Sequence, residues 1–249
     1  MPLSRSRLML GFAKLAYRRG YHELKSELAE RACRLLVYLN DADTHTQGYA
    51  ATMSCGGVVV AFRGTEILSA KDRATDANLK LVGDPVSGGR VHAGFKAAVD
   101  SVFPVLEDAI LQAAPAEVSV TGHSLGGALA TLVAHRLHKT GREIREVITF
   151  GSPRCGDSLF AAEYNRDLRV RTLRHQNCCD IVTRVPGVLQ GYRHVGQLKY
   201  HDALGYVNDD ASWLYRAWDS LSARAMHFGQ FPTRGIADHR VSAYLANLD

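Results

Sequence analysis

Hydrophobic side chains recur with a helical period near both ends of the chain. The apolar face of the first predicted helix carries Leu8, Leu10, Phe12 and Leu15. A similar spacing predicts a second helix over residues 21–40, and another over residues 211–227. In the last stretch, Asp238 stands where a capping residue would begin a final helix.

The middle of the chain alternates between strand and helix patterns. Apolar runs on either side of Ser54–Gly57 predict a hairpin, and residues 93–114 predict a helix that ends before Pro115. Four further segments then follow, predicted as strand, helix, strand and strand: 117–122, 126–141, 146–151 and 168–174. This alternation predicts an α/β fold, with a mostly parallel central sheet and helices on both faces. Because no linker or repeat divides the chain, we expect one domain over residues 1–249.

Composition narrows the class of protein. The chain has 249 residues, of which 46% are hydrophobic and 22% charged, as in an ordinary globular protein. Its net charge is +5, but the basic residues are scattered and do not alternate with aromatic ones, so nucleic-acid binding is not expected. Five cysteines are an odd number, which favours buried thiols in a reducing compartment over a disulfide framework.

The start of the chain resembles a secretion signal only in part. Basic residues precede an apolar run, but Lys14 interrupts that run and no small-x-small cleavage site follows. No apolar run approaches the ~18 residues of a membrane span. The sequence therefore favours a cytoplasmic location and no transmembrane segment, with secretion independent of a signal peptide left open.

One serine lies between two glycines, in the order Gly122-His123-Ser124-Leu125-Gly126. A strand is predicted before this G-x-S-x-G pattern and a helix after it, as at the sharp turn that carries a nucleophile in α/β-hydrolases. Leu125 N–H would then be an oxyanion donor at the helix N-terminus. The alternative interpretation makes Ser124 a helix cap. A second candidate, Ser158 in a Gly-Asp-Ser-Leu segment, is better explained as the start of a helix.

The partners of such a serine follow it in the order acid, then histidine. His239 comes late, after a loop that contains Pro232 and Gly235, and we predict it as the base. Asp180 follows a predicted strand and is the preferred acid, with Asp202 and Asp238 as alternatives. His135 and His138 lack a third ligand of suitable spacing, so we expect neither a metal nor another cofactor.

Six ordered segments together resemble the class 3 lipases, the α/β-hydrolase family of fungal triacylglycerol lipases and their relatives. They are "VVVAFRGTE", "RVHAGF", "VTGHSLGGALATL", "TFGSPRCGD", "NCCDIVTRVP" and "YRHVG" with "DHRVSAYL". The resemblance implies Ser124 as nucleophile, Asp180 as acid and His239 as base. It also implies that Thr65 supplies a second oxyanion donor beside Leu125.

The resemblance implies a serine ester hydrolase that forms an acyl-enzyme on acylglycerols or other carboxylic esters. Residues 66–86 correspond to the family's lid, but Arg73 stands near the position of a tryptophan in relatives. Lys71, Arg73 and Lys80 make this segment basic. The segment would then either contact an anionic lipid interface or form an ordinary solvated loop. Two alternatives therefore stay open: a phospholipase A-type acylhydrolase acting on anionic lipid, and a non-catalytic binding protein of this fold. The expected partner is a small-molecule or lipid ester, with peripheral contact to a lipid interface, and the sequence does not indicate an oligomeric state.

Overall fold

The computed structural model describes residues 4–18, 20–64, 79–226 and 233–248. Its strands are β1 (Arg34–Asp41), β2 (Thr46–Thr52), β3 (Val58–Phe62), β4 (Leu81–Gly83), β5 (Arg90–His92), β6 (Val118–His123), β7 (Ile144–Phe150), β8 (Thr172–Asn177), β9 (Gln197–His201) and β10 (Val207–Asp209). Its helices are α1 (Arg5–Leu15), α2 (Tyr21–Ala29), α3 (Ala93–Ala113), α4 (Leu125–Lys139), α5 (Ser158–Leu168), α6 (Trp213–Met226), α7 (Thr233–Ala237) and α8 (Val241–Ala246).

Eight strands form the central sheet in the order β1-β2-β3-β6-β7-β8-β9-β10, and β4 pairs with β5 separately. The run from β3 through β6, β7 and β8 to β9 is parallel, whereas the outer pairs β1–β2, β2–β3 and β9–β10 are antiparallel. The predicted hairpin is the β2–β3 pair. The parallel strands end at the same edge of the sheet, where α/β folds place their functional loops.

Both faces of the sheet are covered, which explains why its central strands are apolar throughout. All five residues of β3 are buried. Val60 and Phe62 pack into the cluster formed with α3, α4 and α5, and Val59 and Ala61 pack into the opposite cluster with α1, α2 and α8. Successive side chains of a strand point to opposite faces, so β3 contributes to both layers of the core. The predicted α/β-hydrolase class is confirmed.

Three expectations drawn from local spacing were wrong. The strand predicted over residues 168–174 begins only at Thr172, because Leu168 ends α5 and residues 169–171 form a 3₁₀ turn. The predicted helix over residues 21–40 ends at Ala29, the chain turns at Ala32 with φ 54°, and residues 34–41 form β1 instead. Pairing of this Leu-, Val- and Tyr-rich stretch with β2 outweighs its helical spacing. Asp238 does not cap the last helix: α8 begins after Arg240, and the Asp238 carboxylate accepts a hydrogen bond from Cys179 N–H at 3.3 Å.

Across the described ranges, no helix combines the length and apolar character that a membrane crossing requires.

Candidate active site

Ser124 lies on a sharp turn between β6 and α4. Its backbone has φ 59° and ψ −134°, and residues other than glycine rarely adopt a positive φ. The turn is also crowded: a Cβ on Gly126 would lie 2.2 Å from Phe62 O, and one on Gly122 would lie 2.1 Å from Gly126 O. These two positions accept only glycine, so the G-x-S-x-G spacing follows from the close packing of β3, β6 and α4.

The Ser124 side chain does not cap the helix that follows it. It makes no capping hydrogen bond, and its buried Oγ has no hydrogen-bond partner among the residues that the structure describes. A buried hydroxyl usually has a partner, and exceptions are typical of reactive sites. The helix-cap interpretation therefore does not describe the contacts of Ser124.

His239 and Asp180 form a fully buried pair. His239 Nδ1 lies 2.9 Å from Oδ2 and 3.0 Å from Oδ1 of Asp180, and both residues are 0% exposed. A carboxylate accepts hydrogen bonds, so we assign the imidazole proton to Nδ1. Nε2 is then left as an acceptor, and this buried atom has no partner within the described part of the chain.

Two further donors fix the Asp180 carboxylate. Val182 N–H donates to Oδ1 at 2.9 Å, and the Tyr244 hydroxyl donates to Oδ2 at 2.6 Å. The Tyr244 oxygen in turn accepts from Asn177 N–H at 3.2 Å. Burial, followed by the nearby carboxylate, raises the pKa of Tyr244 well above its usual value, so this hydroxyl keeps its proton and remains a donor.

The end of β7 lies beside all three predicted residues. Ser124 N–H donates to Phe150 O at 2.9 Å. A Cβ on the next residue, Gly151, would lie 2.7 Å from Asp180 Oδ2 and 2.8 Å from His239 Nδ1. The structure thus brings Ser124, Asp180 and His239 around the Phe150–Gly151 peptide, although they are far apart in sequence.

His123, on the turn that carries Ser124, contacts His239 on its loop. Its ring lies 4.6 Å from the His239 ring, centroid to centroid, and its Nε2 lies 2.6 Å from His239 O. Because a carbonyl oxygen only accepts, Nε2 carries the proton and Nδ1 accepts from the Tyr17 hydroxyl at 2.7 Å. Burial lowers the pKa of His123 to about 3, which keeps this ring neutral.

The other candidates of the sequence lie elsewhere. Ser158 is exposed at the start of α5, where the Asp157 side chain caps the helix. Asp202 accepts from the Tyr215 hydroxyl and from Asn208 Nδ2. Asp238, already described, binds a main-chain N–H. Of the three acids considered from the sequence, Asp180 is the one at hydrogen-bond distance from His239 Nδ1.

Of the two predicted oxyanion donors, Leu125 lies among the described residues and Thr65 does not. Leu125 is the first residue of α4, so its N–H belongs to the turn whose donors have no partner within the helix. Thr65 and residues 66–78 of the predicted lid lie outside the described residues. Gly64, just before Thr65, lies against the serine: a Cβ there would be 2.8 Å from Ser124 Cβ.

His135, one of the two histidines considered as metal ligands, has structural surroundings. His135 is buried against Phe160 and Tyr164, and burial lowers its pKa. In the described ranges, no three His, Cys, Asp or Glu side chains converge as a metal site would need.

Three residues that shape the site are not among those predicted from the sequence: His123, Gly151 and Tyr244. His123 and Gly151 occur inside the quoted motifs, directly before the serine and directly after β7. Both positions are in the motifs, but their contacts are with Asp180 and His239, which lie on loops far along the chain. Tyr244 also lies in a quoted motif, "DHRVSAYL", but nothing in the local sequence indicates that its hydroxyl donates to Asp180.

Comparison with known proteins finds similar sequences and similar folds. The family model described as "Lipase (class 3)" matches residues 59–190. The chain is 35% identical over 142 residues to secreted mono- and diacylglycerol lipase 1 of Fusarium solani, covering 55% of this chain and 41% of the relative. It is 32% identical over 166 residues to the chloroplastic phospholipase A(1) DAD1 of Arabidopsis thaliana, covering 57% and 36%.

Among solved structures, a mutant form of MDLA from Penicillium cyclopium has the same fold. The TM-score is 0.70 at 22% identity, covering 86% of this chain and 88% of the other. The chain spans less than half the length of the two curated relatives. The name of the Fusarium relative describes a secreted enzyme, so the cytoplasmic location expected from the start of the chain is wrong on this comparison.

Proposed function

The chain belongs to the class 3 lipase family, and from this membership we propose that it is a serine ester hydrolase with Ser124, His239 and Asp180 as its triad. The observation that carries the proposal is the buried His239 Nδ1–Asp180 pair, which lies with Ser124 at the end of β7. Among the described residues, neither His239 Nε2 nor Ser124 Oγ has a hydrogen-bond partner. A histidine held in this tautomer is arranged to accept a serine proton.

In the proposed reaction, His239 Nε2 takes the Oγ proton while Oγ attacks the ester carbonyl carbon. The tetrahedral intermediate collapses, the C–O bond breaks, and the leaving alkoxide takes the proton from His239. Water, deprotonated by the same Nε2, then attacks the acyl-enzyme and releases the carboxylic acid and free Ser124. Asp180 stabilises the transient imidazolium, and its own position is fixed by Val182 N–H and Tyr244.

Leu125 N–H is the proposed oxyanion donor at the start of α4, and Thr65 is the proposed second donor. The position of Gly64 against Ser124 supports a donor from this segment. A single such donor contributes about 10²–10³ in turnover.

The proposed substrates are acylglycerols or other carboxylic esters. The Fusarium relative, whose name states mono- and diacylglycerol lipase, supports this class and an extracellular place of action. The Arabidopsis relative, named a phospholipase A(1), favours a second candidate, acyl hydrolysis of phospholipid. The single central sheet, which extends from β1 to β10, supports one domain over residues 1–249.

The test compares three substrates: emulsified long-chain triglyceride, anionic phospholipid vesicles and a soluble short-chain ester. Each is offered to the wild type and to Ser124→Ala. The proposal predicts hydrolysis of triglyceride and soluble ester by the wild type and none by the variant. Preference for phospholipid would establish the second candidate, and activity in Ser124→Ala would refute the role of the serine.

A further inference from the structure

Four arginines lie together beside the loop that holds Asp180. We call them the arginine cluster, and no carboxylate among the described residues lies within ion-pair distance of any member: Arg154, Arg174, Arg184 and Arg216. Arginines elsewhere in the described ranges do pair with acids, as Arg136 does with Asp100 at 2.6 Å. The cluster is therefore a local excess of positive charge.

Three members of the cluster come from elements that meet at the loop after β8. Arg154, on the loop after β7, donates from Nη1 to Arg184 O at 2.6 Å and to Pro186 O at 2.8 Å. Arg184 Nη2 donates to Ser220 Oγ on α6 at 2.8 Å. Arg216 precedes Ser220 by four residues, so the two lie on the same face of α6. The loop after β7, the loop after β8 and α6 thus contribute one arginine each.

Arg174 is the buried member of the cluster. It lies in β8 opposite Thr149 of β7, and it is only 7% exposed. Its Nη1 donates to Gln176 Oε1 at 3.2 Å, but its buried Nε has no hydrogen-bond partner among the described residues. The buried Nε of Arg216 also has no partner there. Because buried charged donors are normally paired, these two atoms indicate a missing acceptor.

The charges of the cluster repel one another. Burial, followed by the charges of Arg216 and Arg154, lowers the pKa of Arg174 to about 9. Burial, followed by the charge of Arg216, lowers the pKa of Arg154 to about 10. The Asp210 carboxylate acts on Arg174 in the opposite direction, but it pairs with Arg169 at 3.4 Å. Both guanidinium groups stay charged at neutral pH, so an anion between them would relieve their repulsion.

The number and the origin of these arginines favour a phosphate over a carboxylate. Guanidinium groups bind oxyanions through parallel N–H donors. A carboxylate has two oxygens, whereas a phosphate monoester offers three oxygens and nearly two negative charges to several donors at once. Solvent reaches the cluster from one side, because Arg184 is exposed and Arg154 and Arg216 are half-buried.

We propose that the arginine cluster binds a phosphate group, either inorganic phosphate or the phosphate monoester of a small soluble molecule. None of the four arginines belongs to the proposed triad or to the proposed oxyanion donors, so this binding site goes beyond the proposed ester hydrolysis. A phosphate held there joins the loop after β7, the loop that carries Asp180, and α6. Its binding therefore stabilises the folded chain.

Isothermal titration calorimetry tests the site without any ester, so its result does not depend on the proposed hydrolysis. The full chain is titrated with inorganic phosphate in one arm and with glycerol 3-phosphate in the other, and sodium chloride keeps the ionic strength constant so that general screening is the same throughout. The proposal predicts saturable binding of one phosphate per chain. Tighter binding of inorganic phosphate assigns the site to the free anion, and tighter binding of glycerol 3-phosphate assigns it to an organic phosphate.

Arg216→Gln removes one member of the cluster, whose side chain makes no hydrogen bond or ion pair within the described residues. We expect the affinity for phosphate to fall about tenfold or more, as for the loss of a hydrogen bond to a charged group. Arg166→Gln on α5 is the matched control. It removes the same charge, but Arg166 pairs with Glu163 and Asp167 away from the cluster, so phosphate affinity should not change.

The melting temperature gives an independent readout, and circular dichroism checks that both variants are folded. Phosphate should raise the melting temperature of the wild type and of Arg166→Gln, and should raise that of Arg216→Gln much less. A wild type that binds neither phosphate ligand would overturn the proposal, as would equal phosphate affinity in all three proteins. An equal loss of affinity in both variants would also overturn it, because net charge alone would then attract the anion.

Discussion

His123 donates a hydrogen bond from Nε2 to the main-chain carbonyl of His239 at 2.6 Å, across 116 positions of sequence. The residue before the proposed nucleophile thus holds the backbone of the proposed base. Burial keeps the His123 ring neutral by lowering its pKa to about 3, and Nδ1 of this ring accepts a separate hydrogen bond from the Tyr17 hydroxyl. The turn and the histidine loop are consequently coupled through a side chain that need not touch the substrate.

Replacing His123 with phenylalanine keeps an aromatic ring against His239 but removes the donor to its carbonyl. We expect kcat on a soluble ester to fall about 10–100-fold with little change in KM, because a small displacement of the base weakens proton transfer. Steady-state kinetics measures both constants. Tyr17→Phe is the control: it leaves the His123–His239 bond in place and should cost much less. An unchanged kcat in His123→Phe would show that the bond does not position His239.

Gly151 is the point where a single methyl group would separate the acid from the base. Gly151→Ala places a Cβ 2.7 Å from Asp180 Oδ2 and 2.8 Å from His239 Nδ1, at a residue with φ 61°. We expect at least a roughly 100-fold loss of kcat. Gly141→Ala is the matched control, since its φ is 84° but no atom lies within 4 Å of the added Cβ. It should lower stability by about 1 kcal/mol and leave kcat intact.

Tyr244→Phe tests the buried hydroxyl that fixes Asp180. The change removes a donor to a carboxylate and leaves Asn177 N–H without its acceptor, so we expect a loss of about 1.5–3 kcal/mol in the free energy of unfolding. Urea denaturation measures this loss. Tyr49→Phe provides the comparison, because the buried Tyr49 hydroxyl donates to the uncharged Phe12 carbonyl at 2.9 Å and should cost about 0.5–1.5 kcal/mol. Equal losses of unfolding free energy in the two variants would contradict a stronger hydrogen bond from Tyr244 to the Asp180 carboxylate.

Buried histidines should make the protein sensitive to acid. Burial, as the largest cause, lowers the pKa of His123 and His175 to about 3 and that of His201 to about 4, below the unfolded value of 6.5. Between these values the unfolded chain binds more protons, so stability falls as the pH falls from about 6.5 towards 3. A histidine of this kind costs about 2 kcal/mol by pH 5.

Urea midpoints recorded from pH 7.5 to pH 5 measure this dependence. His123→Phe should show a smaller loss of stability over the same range, because the variant lacks one of the buried titrating groups. A free energy of unfolding that stays constant over this range would contradict the neutral state of these rings.

Local patterns predicted the elements whose sequence and tertiary environment agree. The strand–turn–helix around Ser124 followed from glycine spacing, because the glycines are required by contacts within that unit. The strand over residues 34–41 was not predicted, because its apolar residues have helical spacing. It forms a strand through pairing with β2, and this pairing cannot be inferred from the local sequence. The choice of Asp180 over Asp202 and Asp238 likewise depends on where three loops meet. The roles of His123 and Tyr244 are contacts across 116 and 64 positions of sequence, which no local pattern encodes.

The identity of the nucleophile is the central claim, and labelling with a fluorophosphonate tests it most directly. The probe reacts with a serine activated by a neighbouring base, and peptide mapping by mass spectrometry locates the adduct. Wild type, Ser124→Ala and Ser158→Ala are compared under the same conditions. The account predicts one adduct on Ser124, lost in Ser124→Ala and retained in Ser158→Ala. An adduct that persists in Ser124→Ala, or that maps to Ser158, would contradict it.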